Sequence, residues 1–236
     1  NPLRWACAGT PNIWTHRTGI LSARFFHVRE RRSTLYINTF QYKPEHVDCR
    51  LCTEYAGKKK GCTAQGCPWL AERIEAGVVG YEEAVMETFP RSPNLDEKLH
   101  TVIRPFTGSL FLNAGHRQRM ENMKIRMGYS RRRDRPAYFA AMYLLTANED
   151  IYTRTANCFC HHGIEFDYAM LKDISPHNYT LFSAARDICA DTSGVMLNDL
   201  SNREVTDTLV FSLITNALLI ARSGCAVLAI RERGKP

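Results

Sequence analysis

Four cysteines crowd into a short stretch of this 236-residue chain, and they constrain its fold more than any other feature. Cys49, Cys52, Cys62 and Cys67 form the pattern C-x2-C-x9-C-x4-C. Zinc binds four thiolates in a tetrahedron, and a C-x2-C turn supplies two of them while a second pair closes the site. The spacing therefore predicts one structural zinc ion per chain, held in a cysteine module of residues 46–76. Because all four ligands are thiolates, no coordination position is left open for catalysis.

The sequence leaves two other states of these thiols open, namely disulfide bonds and unbound thiols. The chain contains nine cysteines, and the five outside the module are scattered. An odd, scattered set does not suit a disulfide framework, so we expect a reducing intracellular compartment. His46, three residues before Cys49, is a candidate to replace one of the four ligands.

A second group of metal-ligating residue types comprises Cys158, Cys160, His161 and His162. Residues one or two apart on a helix point to different faces, so this spacing is poor for a metal site. It favours a helix end with buried cysteines and a polar histidine pair.

The fold class predicted from these patterns is α+β. Two β-prone runs around a charged turn predict a basic hairpin over residues 20–42, within a β-rich N-terminal region of residues 1–88 that includes the cysteine module. Two short helices are predicted there, one between Pro68 and Gly77 and one from Tyr81 through Met86. Prolines and a glycine in residues 89–108 indicate a linker. Residues 109–236 then form a mainly α-helical domain.

Five helices are predicted in that domain, each beginning where a start residue precedes an apolar stretch. The start residues are Asn113, Pro136, Asn148, Ser175 and Ser201, the last in a capping box with Glu204. The helix from Asn148 is expected to run toward Cys160, and Gly224 is expected to end the last helix. The segment PAYFAAMYLLTA, from Pro136, is apolar on nearly every side and so belongs in the core.

Positive charge is concentrated in two blocks of the sequence. Residues 1–60 carry 11 basic and 4 acidic side chains, and residues 109–135 carry 8 and 2, whereas the rest of the chain is net acidic. Lys and Arg clusters bind phosphate backbones, so these blocks predict contact with nucleic acid. The candidate residues are Arg24, Arg29, Arg31, Arg32, Lys58, Lys59, Lys60, Arg131, Arg132, Arg133 and Arg135.

Aromatic residues interleave with the first basic block and offer stacking faces to single strands. They are Phe25, Phe26, Tyr36, Phe40 and Tyr42. The alternative interpretation of the same pattern is a solvated loop beside a half-buried strand.

Signatures of common enzymes are missing from the sequence. It contains no Walker-type phosphate loop, dinucleotide fingerprint, H-E-x-x-H helix or nucleophile elbow, and no small-molecule substrate is indicated. Glu165, Asp167 and Asp173 follow the histidine pair and leave a metal-dependent nuclease as an alternative. Their alternation with Ile164, Phe166 and Tyr168 more simply predicts the solvent face of a strand. The longest mainly apolar run, residues 209–221, is too short to span a membrane.

Two stretches carry a resemblance to a known group of proteins. One is DCRLCTEYAGKKKGCTAQGCPWLAERIEAGVVGYEEAV, and the other joins SLFLNAGHRQRM to AYFAAMYLLTANEDIYTRTANCFCHHGIEFDYAMLKDISPHNYTLFSAARDI. They resemble accessory proteins of plasmids, phages and integrative elements of Firmicutes, in which a Cys-rich module and a small helical domain of unknown function recur. The resemblance carries over the four module cysteines alone. It implies a mobile genetic element inside a bacterial cytoplasm.

Together these patterns predict a non-enzymatic, zinc-stabilised accessory protein that binds nucleic acid or a nucleoprotein complex through its basic surfaces. An alternative of a different class is an inhibitor of a host defence complex such as a CRISPR effector, acting on protein or on guide RNA. Because inhibitors that imitate DNA are acidic and this chain is basic, such an inhibitor would contact RNA or an acidic protein face.

Overall fold

A helix that is apolar on every side has no face to offer to water, so it must lie at the centre of the molecule. The segment from Pro136 to Leu145 has this character, and every residue from Tyr138 to Leu145 is buried. In the computed structural model, which describes residues 40–64, 66–89, 93–128, 135–160, 163–190 and 206–230, this central helix packs against two longer helices, Pro176–Ala190 and Thr208–Ser223.

The described part of the chain is mainly helical. In chain order its helices are α1 (Leu70–Glu75), α2 (Tyr81–Thr88), α3 (Pro93–Ile103), α4 (Ala114–Arg126), α5 (Pro136–Leu145), α6 (Glu149–Thr155), α7 (Pro176–Ala190) and α8 (Thr208–Ser223). Two short strands, β1 (Phe159–Cys160) and β2 (Gly163–Ile164), form an antiparallel pair in which Phe159 lies opposite Ile164. Short 3-10 turns cover Pro44–Val47, Cys49–Leu51, Ala156–Cys158, Phe166–Tyr168 and Cys225–Ala229.

Capping residues set the starts of the helices. The side chains of Asn113 and Asn148 accept hydrogen bonds from the third backbone N–H of α4 and α6, which confirms both predicted starts. The start predicted for the last helix is wrong: α8 begins at Thr208, and Asp207 is its cap, accepting from the N–H of Val210 at 2.7 Å. Gly224, at φ 76°, ends α8 as predicted.

The segment in which the sequence predicts a linker, residues 89–108, contains α3. Leu95, Leu99 and Val102 form a buried stripe on this helix, spaced four and three residues apart. Pro93 is the first residue of α3, where its missing N–H costs no hydrogen bond. The described residues on both sides of α3 lie within one compact unit, Asn38–Pro236.

Two further expectations differ from the structure around residues 149–168. The helix from Asn148 ends at Thr155 rather than reaching toward Cys160, because a 3-10 turn and β1 follow it. The expected strand through Ile164, Phe166 and Tyr168 is limited to Gly163–Ile164, and Phe166–Tyr168 is a 3-10 turn. The basic hairpin predicted over residues 20–42 lies almost wholly outside the described residues.

Among the described residues, no helix combines the length and the apolar character needed to cross a bilayer.

Candidate nucleic-acid interface and metal centre

Cys49, the first cysteine of the module, begins a tight 3-10 turn, Cys49–Leu51, and Cys52 directly follows this turn. Asp48 caps this turn by accepting from the N–H of Arg50 at 2.9 Å, and the N–H of Cys52 donates to the carbonyl of Cys49 at 3.1 Å. The turn therefore folds the backbone back between the two cysteines, which is the local geometry that a C-x2-C metal turn needs.

A short hairpin then returns the chain toward Cys52. Tyr55 and Cys62 form an antiparallel bridge, and the N–H of Thr63 donates to the carbonyl of Glu54 at 2.9 Å. The tip closes through the N–H of Gly61, which donates to the carbonyl of Gly57 at 2.8 Å. Both glycines have positive φ, 93° and 68°, a conformation that side chains other than glycine resist. The hairpin thus places Cys62 at its base and residues 58–60 at its tip.

Cys67 anchors the module to the helical body. Its N–H donates to Glu87 Oε2 in α2 at 3.2 Å, and its Sγ lies 3.6 Å from Arg73 Nη1 in α1. Arg73 also pairs with Glu83 of α2 at 2.9 Å. Burial lowers the pKa of the Arg73 guanidinium, but Cys67, Glu83 and the nearby Cys49 outweigh burial and raise that pKa above its usual value. A cation is thereby fixed beside the Cys67 thiol.

The four module cysteines are free thiols, Cys49 and Cys62 exposed and Cys52 and Cys67 half-buried. Within the described ranges, no three Cys, His, Asp or Glu side chains are gathered closely enough to hold a metal ion. The donor chemistry nevertheless fits zinc, and one observation adds to it: Arg73 Nε is buried and has no hydrogen-bond partner among the described residues. The Arg73 guanidinium, which contacts the Cys67 thiol through Nη1, is suited to neutralise the negative charge of a thiolate cluster.

The lysines of the first basic block lie at the hairpin tip. Lys58, Lys59 and Lys60 are all exposed, and none of them forms an ion pair with any residue that the structure describes. Arg50, by contrast, is engaged with Asp48 through its Nε and Nη2 atoms, and this contact lowers the pKa of the Asp48 carboxyl. The tip is the part of the module where positive charge is not locally compensated.

The other predicted nucleic-acid contacts are only partly described. Arg135 is exposed immediately before α5, whereas the remaining arginines lie outside the described residues. These are Arg24, Arg29, Arg31, Arg32, Arg131, Arg132 and Arg133. Within the second block, Arg119 of α4 has a structural role, because it donates to the carbonyls of Thr146 and Ala147.

His46 takes part in an aromatic stack. Its Nδ1 accepts from the N–H of Lys43 at 3.2 Å, and its ring stacks on Phe40 with centroids 5.5 Å apart and planes inclined by 17°. The rings of Tyr42 and Phe40 are nearly perpendicular, with centroids 5.0 Å apart. One of the two nitrogens that His46 offers as a replacement ligand is therefore already occupied.

Trp69 is a surface residue that the sequence analysis does not single out. It directly precedes α1 and is 53% exposed, while Leu70 and Ile74 of the same segment are buried. The spacing of apolar residues along α1 could have predicted that Trp69 is exposed. Leu70 and Ile74 define the buried face, and residue 69 lies about 100° away from it on the helix.

The second cysteine group does not form a described metal site. Cys158 is buried, which raises the pKa of its thiol to about 11, and Cys160 Sγ contacts the carbonyl of Gly163 at 3.1 Å. His161 and His162 lie outside the described residues. Of the acidic residues considered for a nuclease, Glu165 and Asp167 line a shallow depression with Arg186, and Asp173 is not among its lining residues.

Comparisons of the chain with protein-family models, with curated proteins and with solved structures return no match.

Proposed function

We propose that this chain is a non-enzymatic accessory protein that binds nucleic acid through the cysteine module, with zinc stabilising the module. The observation that supports it best is the hairpin tip, where three consecutive exposed lysines have no ion-pair partner among the described residues. A tight hairpin holds these ammonium groups on a short, defined backbone. Phosphate groups would displace water and counterions from them without breaking any internal contact.

In this proposal, zinc stabilises the fold of the module. The module has little core of its own: among its described residues, only Leu70 and Ile74 are buried apolar side chains. Small units with so little buried apolar surface commonly depend on a metal or on disulfides. Zinc would bind to Cys49, Cys52, Cys62 and Cys67 once their side chains converge, and Arg73 would balance the charge of the thiolates. The metal's contribution is to fix the turn, the hairpin and α1 to one another.

Binding itself is tested by titrating a fluorescently labelled oligonucleotide with the purified full chain at low salt. We expect saturable binding that weakens steeply between about 50 mM and 200 mM salt, since released counterions drive it. Triple replacement of Arg131, Arg132 and Arg133 by Ala should weaken binding equally for unrelated base sequences. Failure to bind any oligonucleotide at low salt would contradict the proposal.

The zinc site is tested by metal analysis of the purified chain. We expect one zinc per chain, and we expect Cys62→Ser to reduce that content because it removes one of four ligands. Cys160→Ser is the matched control, since Cys160 is a half-buried thiol outside the module. A chelator should loosen residues 46–76, measured as faster hydrogen exchange of their amides, while α5 stays protected. Metal-free protein with unchanged exchange would show that zinc is not bound.

A further inference from the structure

The cysteine module and the segment before it expose large apolar side chains to solvent. Trp69 is 53% exposed, Phe40 is 57% exposed and Leu51 is 79% exposed. Contiguous exposed apolar side chains commonly mark binding sites, and aromatic residues are enriched at interfaces. The lysine tip alone explains attraction to phosphates, but it does not explain these rings.

Contacts within the chain fix the Phe40 ring and the backbone that carries Trp69. Phe40 is stacked on His46, whose orientation is fixed by the hydrogen bond from Lys43, so one face of the Phe40 ring is covered by a partner within the chain. Trp69 sits at the start of α1, where its carbonyl accepts from the N–H of Arg73 at 3.0 Å. Rings on such fixed backbone lose little conformational freedom when a base stacks on them.

The helical framework also connects the two aromatic positions. The turn Pro44–Val47, which follows Phe40, packs against α1, which follows Trp69. The two aromatic residues therefore precede the two elements of one local contact, between this turn and α1. Lys43, between Phe40 and the turn, is exposed and adds a cation there.

We infer that the module and the segment before it bind single-stranded nucleic acid, with unpaired bases stacked on Trp69 and Phe40 and with the backbone phosphates held by lysines. The inference rests on the proposed function and specifies its substrate class. In a duplex both faces of each base are covered by neighbouring bases, so exposed rings gain nothing from it, whereas the unstacked bases of a single strand present free π faces. Stacking of this kind is tolerant of base sequence.

The test compares four labelled 20-nucleotide probes on the full chain: oligo(dT), oligo(rU), a mixed-sequence single strand and the duplex made from that strand. The mixed-sequence single strand should bind at least tenfold more tightly than its duplex. Oligo(dT) against oligo(rU) shows whether the chain distinguishes DNA from RNA, because only the sugar hydroxyl and the base methyl group differ between them. Equal affinity for single strand and duplex would overturn the inference.

Variants separate stacking from charge. Trp69→Ala and Phe40→Ala should each weaken single-strand binding about tenfold while leaving duplex binding unchanged, and Trp69→Phe should restore most of the loss. Tyr168→Ala is the matched control, because Tyr168 is 62% exposed but lies outside the module. If the aromatic variants bind like the parent chain while replacement of the three lysines abolishes binding, the inference fails and the proposed function stands. If no probe binds the parent chain, both fail.

Discussion

At the scale of single residues, the buried imidazole of His116 couples stability to pH. Its Nδ1 accepts from the N–H of Leu112 at 3.2 Å and its Nε2 donates to the carbonyl of Tyr143 at 2.9 Å, so the neutral ring satisfies both neighbours. Burial is the main cause that lowers the pKa of His116 to about 4, helped by nearby Arg119 and opposed by the Tyr143 carbonyl.

The lowered pKa of His116 makes the folded chain more stable at higher pH. Between the ordinary histidine pKa near 6.5 and the folded value near 4, the unfolded chain binds a proton that the folded chain does not. The contribution of His116 to the free energy of unfolding is therefore fully present above pH 6.5, and roughly 3 kcal/mol of it should be lost as the pH falls to 4. Urea unfolding at several pH values measures this.

The comparison with a variant isolates this contribution. His116→Gln removes the titrating group, so its unfolding free energy should change less between pH 6.5 and 4 than that of the parent chain. The exposed His100, replaced in the same way, serves as the control and should keep the parental dependence. Parallel curves for the parent chain and His116→Gln would contradict this role.

At the scale of secondary-structure elements, an arginine of one helix caps the end of another. Arg119 of α4 donates through Nε to the carbonyl of Thr146 at 2.8 Å and through Nη2 to that of Ala147 at 2.7 Å, just past the last residue of α5. These carbonyls lie where a helix leaves acceptors without internal partners, and a charged donor is favourable there.

Replacement of Arg119 by Ala should lower the free energy of unfolding by about 2 kcal/mol, because two hydrogen bonds from a charged donor are lost. Arg117, two residues earlier on the same helix, is exposed, and its guanidinium lies 5.1 Å from the centroid of the Phe111 ring. Arg117→Ala should therefore cost less, about 0.5 to 1 kcal/mol. Chemical denaturation of both variants measures the difference, and equal losses would show that the cap is not stabilising.

The helices also show what the sequence could predict and where it could not. The helix starts at Asn113 and Asn148 could be predicted because a cap depends only on the next three residues. Asp207 was missed because the Ser201 and Glu204 pair satisfied the same local rule a few residues earlier. The sequence did not predict α3, because the prolines in residues 89–108 indicated a linker. This segment forms a helix in the fold because its apolar stripe is buried by tertiary packing.

At the scale of the whole molecule, the described residues join a helical core to a cysteine module for which the spacing of the four thiols predicts a zinc site. The spacing could not show that Arg73 lies beside Cys67, since that contact depends on how α1 packs against α2. The exposure of the tip lysines, in contrast, could be predicted from a run of three charged residues between two glycines.

The most direct test of the account is the salt dependence of oligonucleotide binding in the parent chain and in a variant with Lys58, Lys59 and Lys60 replaced by Ala. Each phosphate contact to a single strand contributes about 0.7 to the slope of log K against log salt. We expect the slope for the triple variant to be smaller in magnitude by about 2, and we expect this variant to bind more weakly at low salt. Replacement of Lys172, an exposed lysine outside the module, by Ala should change neither the slope nor the affinity. Identical slopes for the parent chain and the triple variant would contradict it.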